Sequence, residues 1–262
     1  MSRQYSLSLE HGKQYTYQVL TLLQHVKLNS SVIKICNFLL AIATIFAAQA
    51  SMAEEHLTPA LLSSGEQSLQ NLIEFPDWRG DAEISILCGA RLAADGEFLD
   101  NYCWGFDRRK FYYIREIDEV VGDARAIPAR VNGETKAVWI QYSVDFRKIG
   151  DAKSIIVNPN WGFNRKAYGR HYISPQLYDA PKRSMYCHRD MSFTVQMQID
   201  ESGKIQDAKV ISGEANDKCQ RKLAEFVEHA KYMPADHQGA NVAVKYVDFW
   251  FRSSDRWSGR DD

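Results

Sequence analysis

The chain contains one pattern twice. The segment AIPARVNGETKAVWIQYSVDFR, beginning at Ala126, aligns with YMPADHQGANVAVKYVDFWFR, beginning at Tyr232, through a Pro-Ala pair, a glycine, a β-rich run and a closing Phe-Arg. Pro128 and Pro234, like Gly133 and Gly239, stand 106 positions apart, and the upstream glycines Gly96 and Gly203 stand 107 apart. Equal order at near-equal spacing is the mark of duplication, and it constrains the chain to two related supersecondary units.

Each unit reads the same way. In the first, Ile84, Ile86, Cys88, Ala90 and Leu92 alternate with other residues; in the second, Phe193, Val195, Met197 and Ile199 alternate with Thr194, Gln196 and Gln198. Period two of this kind predicts half-buried strands, each followed by a glycine turn and a second strand. A helix follows. Asp217 reads as an N-cap with Gln220 three residues on, and Leu223, Phe226, Val227 and Ala230 form a helical stripe. In the first unit the helix is expected over 108–121, with Phe111, Ile114, Ile117 and Val121 inward and Arg108, Arg115, Glu116 and Glu119 outward. A third strand, dense in β-branched and aromatic residues, closes each unit at 138–146 and 242–251. The expected fold class is therefore α+β: two tandem β-β-α-β units, each a three-stranded antiparallel sheet packed by one helix. One helix covers one face, so the other face or an edge must be shielded or used.

Ahead of these units, residues 35–48 read ICNFLLAIATIFAA, preceded by Lys27 and Lys34 and followed by the small-residue sites Ala48-x-Ala50 and Ser51-x-Ala53. This is the form of a secretory signal with an N-terminal extension; an uncleaved signal anchor is the alternative, since 35–53 is long enough to span. The expected division is 1–53 signal or anchor, 54–80 linker, 81–148 first unit, 149–177 connector, 178–253 second unit and 254–262 tail. Residues 54–262 carry 28 basic and 32 acidic side chains, a balance that gives no footprint for nucleic acid. The expected location is the periplasm, or the inner membrane facing it, with membrane contact only if the leading segment stays uncleaved.

Cysteine usage agrees with export. Cys36 leaves with the leader, and Cys88, Cys103, Cys187 and Cys219 remain. Cys88 and Cys103 are equidistant from Asp95-Gly96, a hairpin signal, so a two-residue turn sets them directly opposite each other within disulfide range. Cys187 then pairs with Cys219 by remainder. A metal site of Cys187, His188, Cys219 and His229 or His237 matches no zinc spacing, and no metal or cofactor is expected.

The second unit resembles the C-terminal domain of the TonB energy-transducer family. The resemblance is carried by FTVQMQI, the turn DESGK with Gly203, IQDAKVISG, the helix DKCQRKLAEFVEHA and the closing segment from Tyr232, over roughly 178–252; residues 82–147 match the outline more weakly. It implies a binding module that takes an extended peptide by strand addition at the third strand. The residues it puts forward are Val242, Val244, Tyr246, Asp248 and Trp250, and the implied partner is a protein or peptide of the cell envelope, such as an outer-membrane TonB-dependent receptor. Val242, Val244, Val247, Phe249 and Phe251 of the same strand also read as core. The chain lacks the proline-rich rod of a force transducer, and Tyr178-Asp-Ala-Pro181 is a degraded form of the usual lead-in. A structural or accessory envelope protein with mutually buried sheets is the alternative.

No nucleophile elbow, phosphate loop, zinc-protease helix or dinucleotide fingerprint is present. His188-Arg-Asp190 lacks the companions of a kinase loop, and Asp118 with Glu119 reads as a solvated helix face. The aromatic connector around Trp161, Phe163, Tyr168, His171 and Tyr172 reads either as a stacking surface for sugar or peptide or as packing between units.

Overall fold

In this computed structural model the described residues are 55–62, 65–104, 108–161, 164–180, 193–213 and 215–250, the last of them, Trp250, in its backbone only. The signal segment, Cys187, His188, Asp190, Phe163 and the tail lie outside them. In chain order the elements are β1 (Leu57–Thr58), β2 (Leu61–Leu62), α1 (Leu69–Leu72), β3 (Ala82–Leu92), β4 (Phe98–Trp104) and α2 (Arg108–Val120). There follow β5 (Ala126–Ile127), β6 (Ala129–Val131), β7 (Glu134–Lys136), β8 (Val138–Ile149), β9 (Ala152–Asn158), α3 (Asn164–Tyr168) and β10 (Gln176–Asp179). The last are β11 (Phe193–Ile199), β12 (Ile205–Gly213), α4 (Asp217–His229), β13 (Lys231–Met233), β14 (Ala235–His237), β15 (Ala240–Val242) and β16 (Val244–Trp250).

The architecture is α+β and mostly strand. A six-stranded antiparallel sheet runs β13-β10-β8-β3-β4, with β9 also on β8, and a three-stranded sheet runs β12-β11-β16. The first sheet is larger than the three strands expected. The long strand β8 leaves an edge that β9 takes along 143–149 and β10 takes at Leu177↔Trp139, and β13, which follows α4, pairs with β10. The stretch read as a linker is also folded: β1 pairs with β6 and β2 with β5, and Ala60, Leu69 and Ile73 are buried in the first core.

The hairpin register follows the cysteine arithmetic. Cys88 lies opposite Cys103, and their sulfurs are bonded with the Cα atoms 4.1 Å apart. On the buried side of β3 and β8, Ile86, Cys88, Ala90, Leu92, Tyr142, Val144 and Phe146 pack with Tyr113 and Ile117 of α2. Here the helix differs from expectation. Tyr113, not Phe111, faces inward, because its ring fills the space between Phe75 and Phe146 at centroid distances of 6.0 and 4.8 Å. Phe111 is left 59% exposed. In the second sheet Phe193, Val195, Met197 and Ile199 pack on Cys219, Leu223 and Phe226 of α4. The cap of α4 is Asn216, one residue earlier than expected, whose side chain accepts from the Cys219 N–H at 3.0 Å. Cys219 is fully buried.

Each hairpin turn is locked against the strand that follows the helix. Gly96 has φ +90°, and a Cβ there would lie 2.0 Å from the Ala126 carbonyl oxygen; Gly203 has φ +82°, and a Cβ there would lie 1.9 Å from the Tyr232 carbonyl oxygen. Both the left-handed backbone and the close approach exclude a side chain. Gly96→Ala and Gly203→Ala should each lower the unfolding free energy by about 2–4 kcal/mol in urea titrations, whereas Gly133→Ala, with positive φ and open space, should cost about 1 kcal/mol. Reducing the Cys88–Cys103 bridge should cost about 3 kcal/mol, the amount expected for its loop length.

Candidate functional site

The third strand of the second sheet, β16, is the element proposed by sequence to receive a partner. It pairs with β11 in the register Ile199↔Val244, Met197↔Tyr246, Val195↔Asp248 and Phe193↔Trp250. Alternation along a strand therefore places Val244, Tyr246 and Asp248 on the same side as the core residues of β11. They are buried to 2%, 5% and 8% exposure, and Val242, partly buried in β15, packs with Val244, Tyr172 and Ala235. These side chains are brought together, but as interior. Asp248 shares this interior with Tyr102, Tyr232 and Tyr246; burial first, and the Asp248 charge second, push all three phenols upward.

The other edge of β16 carries the more telling geometry. Two alternate carbonyls on it, and the Ala243 carbonyl just before it in the same alternation, accept hydrogen bonds from side chains of the same chain. Tyr168 Oη donates to Ala243 O at 3.4 Å, Asn164 Nδ2 to Lys245 O at 2.6 Å and Gln141 Nε2 to Val247 O at 2.8 Å. Alternate carbonyls of one strand point the same way, so this is the row that an added strand would use, filled instead by β8 and α3. Next along, the Phe249 ring stacks on Trp161 at 5.5 Å and lies 4.9 Å from Trp104. The cleft between β16 and the first sheet, lined by Gln141, Trp161, Asn164 and Lys245, has about 10 Å³ free, room for about one water.

The face of the first sheet away from α2 supplies this dock. Tyr102 lies over Gly89, where a Cβ would be 2.4 Å from its hydroxyl oxygen, and Trp139 packs against the second core. The connector is pinned to the same face. Asp145 on β8 accepts from Arg165 Nη2 at 2.5 Å, Ser85 Oγ at 2.7 Å and Asn158 Nδ2 at 3.1 Å. Asn160 Nδ2 donates to Arg170 O at 2.8 Å and Tyr172 O at 2.5 Å. Burial alone would raise the Asp145 pKa, but the Arg165, Ser85 and Asn158 hydrogen bonds and the Arg165 charge outweigh it and hold the carboxyl below the ordinary value.

Trp161 is 8% exposed and Tyr172 fully buried, so these connector rings are spent on packing. Asp118 accepts from Asn101 Nδ2 at 3.0 Å, and no cluster of His, Cys, Asp or Glu among the described residues could hold a metal ion. No helix among the described residues is long and apolar enough to cross a membrane. Sequence reasoning missed Gln141, Asn164 and Tyr168 as the residues of this edge. The available signal was Gln141 itself, an amide interrupting the apolar run VWIQYSV.

Residues 181–252 match the family model for the Gram-negative bacterial TonB protein C-terminal. The match covers one segment, and 82–147 lies outside it. The matched segment holds β11, β12, α4 and β13 to β16, and the family it is similar to points to TonB-type envelope transport and to protein partners such as outer-membrane receptors. No curated protein and no solved structure matches the chain.

A depressed carboxyl pKa stabilises the fold above the unfolded value near pH 4 and ceases to do so as pH falls through the folded value. Asp145→Asn should therefore lower stability at pH 7 by on the order of 1–3 kcal/mol and shrink the loss that wild type shows below about pH 4. Urea midpoints taken across pH check both.

Proposed function

We propose that this is a periplasmic protein of two TonB C-terminal-like units, derived by duplication, that serves TonB-type envelope transport as an accessory whose third-strand edge is filled by its own chain. The observation that carries the reading is the row of carbonyls at 245 and 247 of β16 and at 243 just before it, each met by a side chain from β8 or the connector. Duplication is supported by detail beyond the sequence repeat. The turn glycines Gly96 and Gly203 sit against carbonyls at matching positions, Asn132-Gly133 and Gln238-Gly239 both have positive φ, and both sheets place the first hairpin strand between the second and third. The reading is one of recognition, without a catalytic step. Cys187 with Cys219 remains the expected second disulfide.

A second reading is favoured by the nature of the cap. Side chains, not a strand, cover β16, so lifting Gln141, Asn164 and Tyr168 would expose an edge able to take an extended peptide. Val242, Val244, Tyr246 and Asp248 would then shape the strand from behind rather than touch the partner directly.

Calorimetry with a synthetic peptide from the energy-transducer-binding segment of an outer-membrane transporter separates the two. The accessory reading expects no binding to wild type or to the Gln141→Ala, Asn164→Ala, Tyr168→Phe triple variant. Binding by the triple variant alone establishes the second reading, and binding by wild type overturns the first.

A further inference from the structure

We propose that the outward face at the start of α2 docks on an anionic phospholipid bilayer surface. The helix opens with Arg108, Arg109 and Lys110 and has no acidic residue in its first turn. Cations at a helix N-terminus oppose the helix dipole, so this arrangement costs the fold stability. Lys110 is tied inward, Nζ donating to Ser85 O at 3.2 Å, and Arg115 is paired with Glu116 and Glu119. Arg108 and Arg109 are exposed.

Directly after these cations come Phe111, 59% exposed, and Tyr112, 54% exposed; Phe111 is the most exposed large apolar side chain among the described residues. At 100° per residue, Arg108, Phe111, Tyr112 and Arg115 form one stripe, opposite the buried Tyr113 and Ile117. Packing gives no reason for two aromatic rings in water beside a run of arginines. A bilayer surface does, because aromatic side chains settle at the headgroup boundary while neighbouring cations meet lipid phosphate.

The test is photocrosslinking of the full chain carrying benzoylphenylalanine at position 111, mixed with vesicles of phosphatidylethanolamine and phosphatidylglycerol and read by intact mass. A probe at position 211, exposed on β12, is the control for any binding by the leading apolar segment. Lipid adducts are expected at 111 and not at 211, falling about 10-fold or more in phosphatidylcholine vesicles and in Arg108→Glu/Arg109→Glu, since each basic residue contributes about five-fold to anionic-surface binding. Circular dichroism should be unchanged in that variant, because acids at a helix start are favoured. Equal adducts at 111 and 211, adducts indifferent to lipid charge or to the arginines, or crosslinks at 111 to protein alone in intact envelopes would overturn the proposal. None of these residues touches β16, so the outcome is independent of the peptide experiment.

Discussion

A strand at the edge of a sheet carries backbone groups that must find partners, and in this molecule that requirement falls on β16. Its outer carbonyls are satisfied by Gln141, Asn164 and Tyr168, and the rest of the connector is arranged to hold those donors in place. Arg165 on Asp145 fixes α3, Asn160 fixes the loop through Arg170 and Tyr172, and Trp161 presents its face to Phe249. The strongest tie in this set is the charged one. It is a charge-assisted pair, the stronger kind of hydrogen bond, although both side chains keep some contact with solvent.

The docking also resolves a problem common to small α+β units. A helix on a three-stranded sheet leaves one sheet face bare. Here the bare face of the first sheet, bearing Tyr102, Trp104 and Trp139, is covered by the second unit, and the bare edge of β8 is covered by β9 and β10. The second unit in turn gives up its most accessible edge. Recognition and packing draw on the same backbone groups, and the closed form spends them on packing.

Much of this was legible in the sequence where local rules act alone. Cys88 and Cys103 are opposed as the spacing implied, although the turn is longer than two residues and a register shift between Arg91 and Leu92 makes up the difference, and the inward residues of β3 and β11 follow from alternation. The rotation of α2 did not follow, because Phe111 and Tyr113 are both aromatic and only the tertiary pocket made by Phe75 and Phe146 decides between them. The folded role of 55–80 was hidden for a similar reason: Leu57–Leu62 is too short to show a period, and becomes strand only because β5 and β6 offer edges. On β16 the side chains put forward by sequence at 244, 246 and 248 lie in the interior. Alternation named the side chains, whereas the contacts there are made through main-chain carbonyls, which no residue pattern encodes.

The position of β13 has a consequence for the order in which such a chain can fold. This strand completes the six-stranded sheet through β10, yet it lies beyond α4, late in the sequence. A chain that grows from its N-terminus can pair its early strands and bring Cys88 to Cys103 well before residue 233 is available, but β10 keeps an open margin until then. The last strand of the first sheet is thus supplied from beyond the second unit's helix, and the two halves finish folding together rather than each alone.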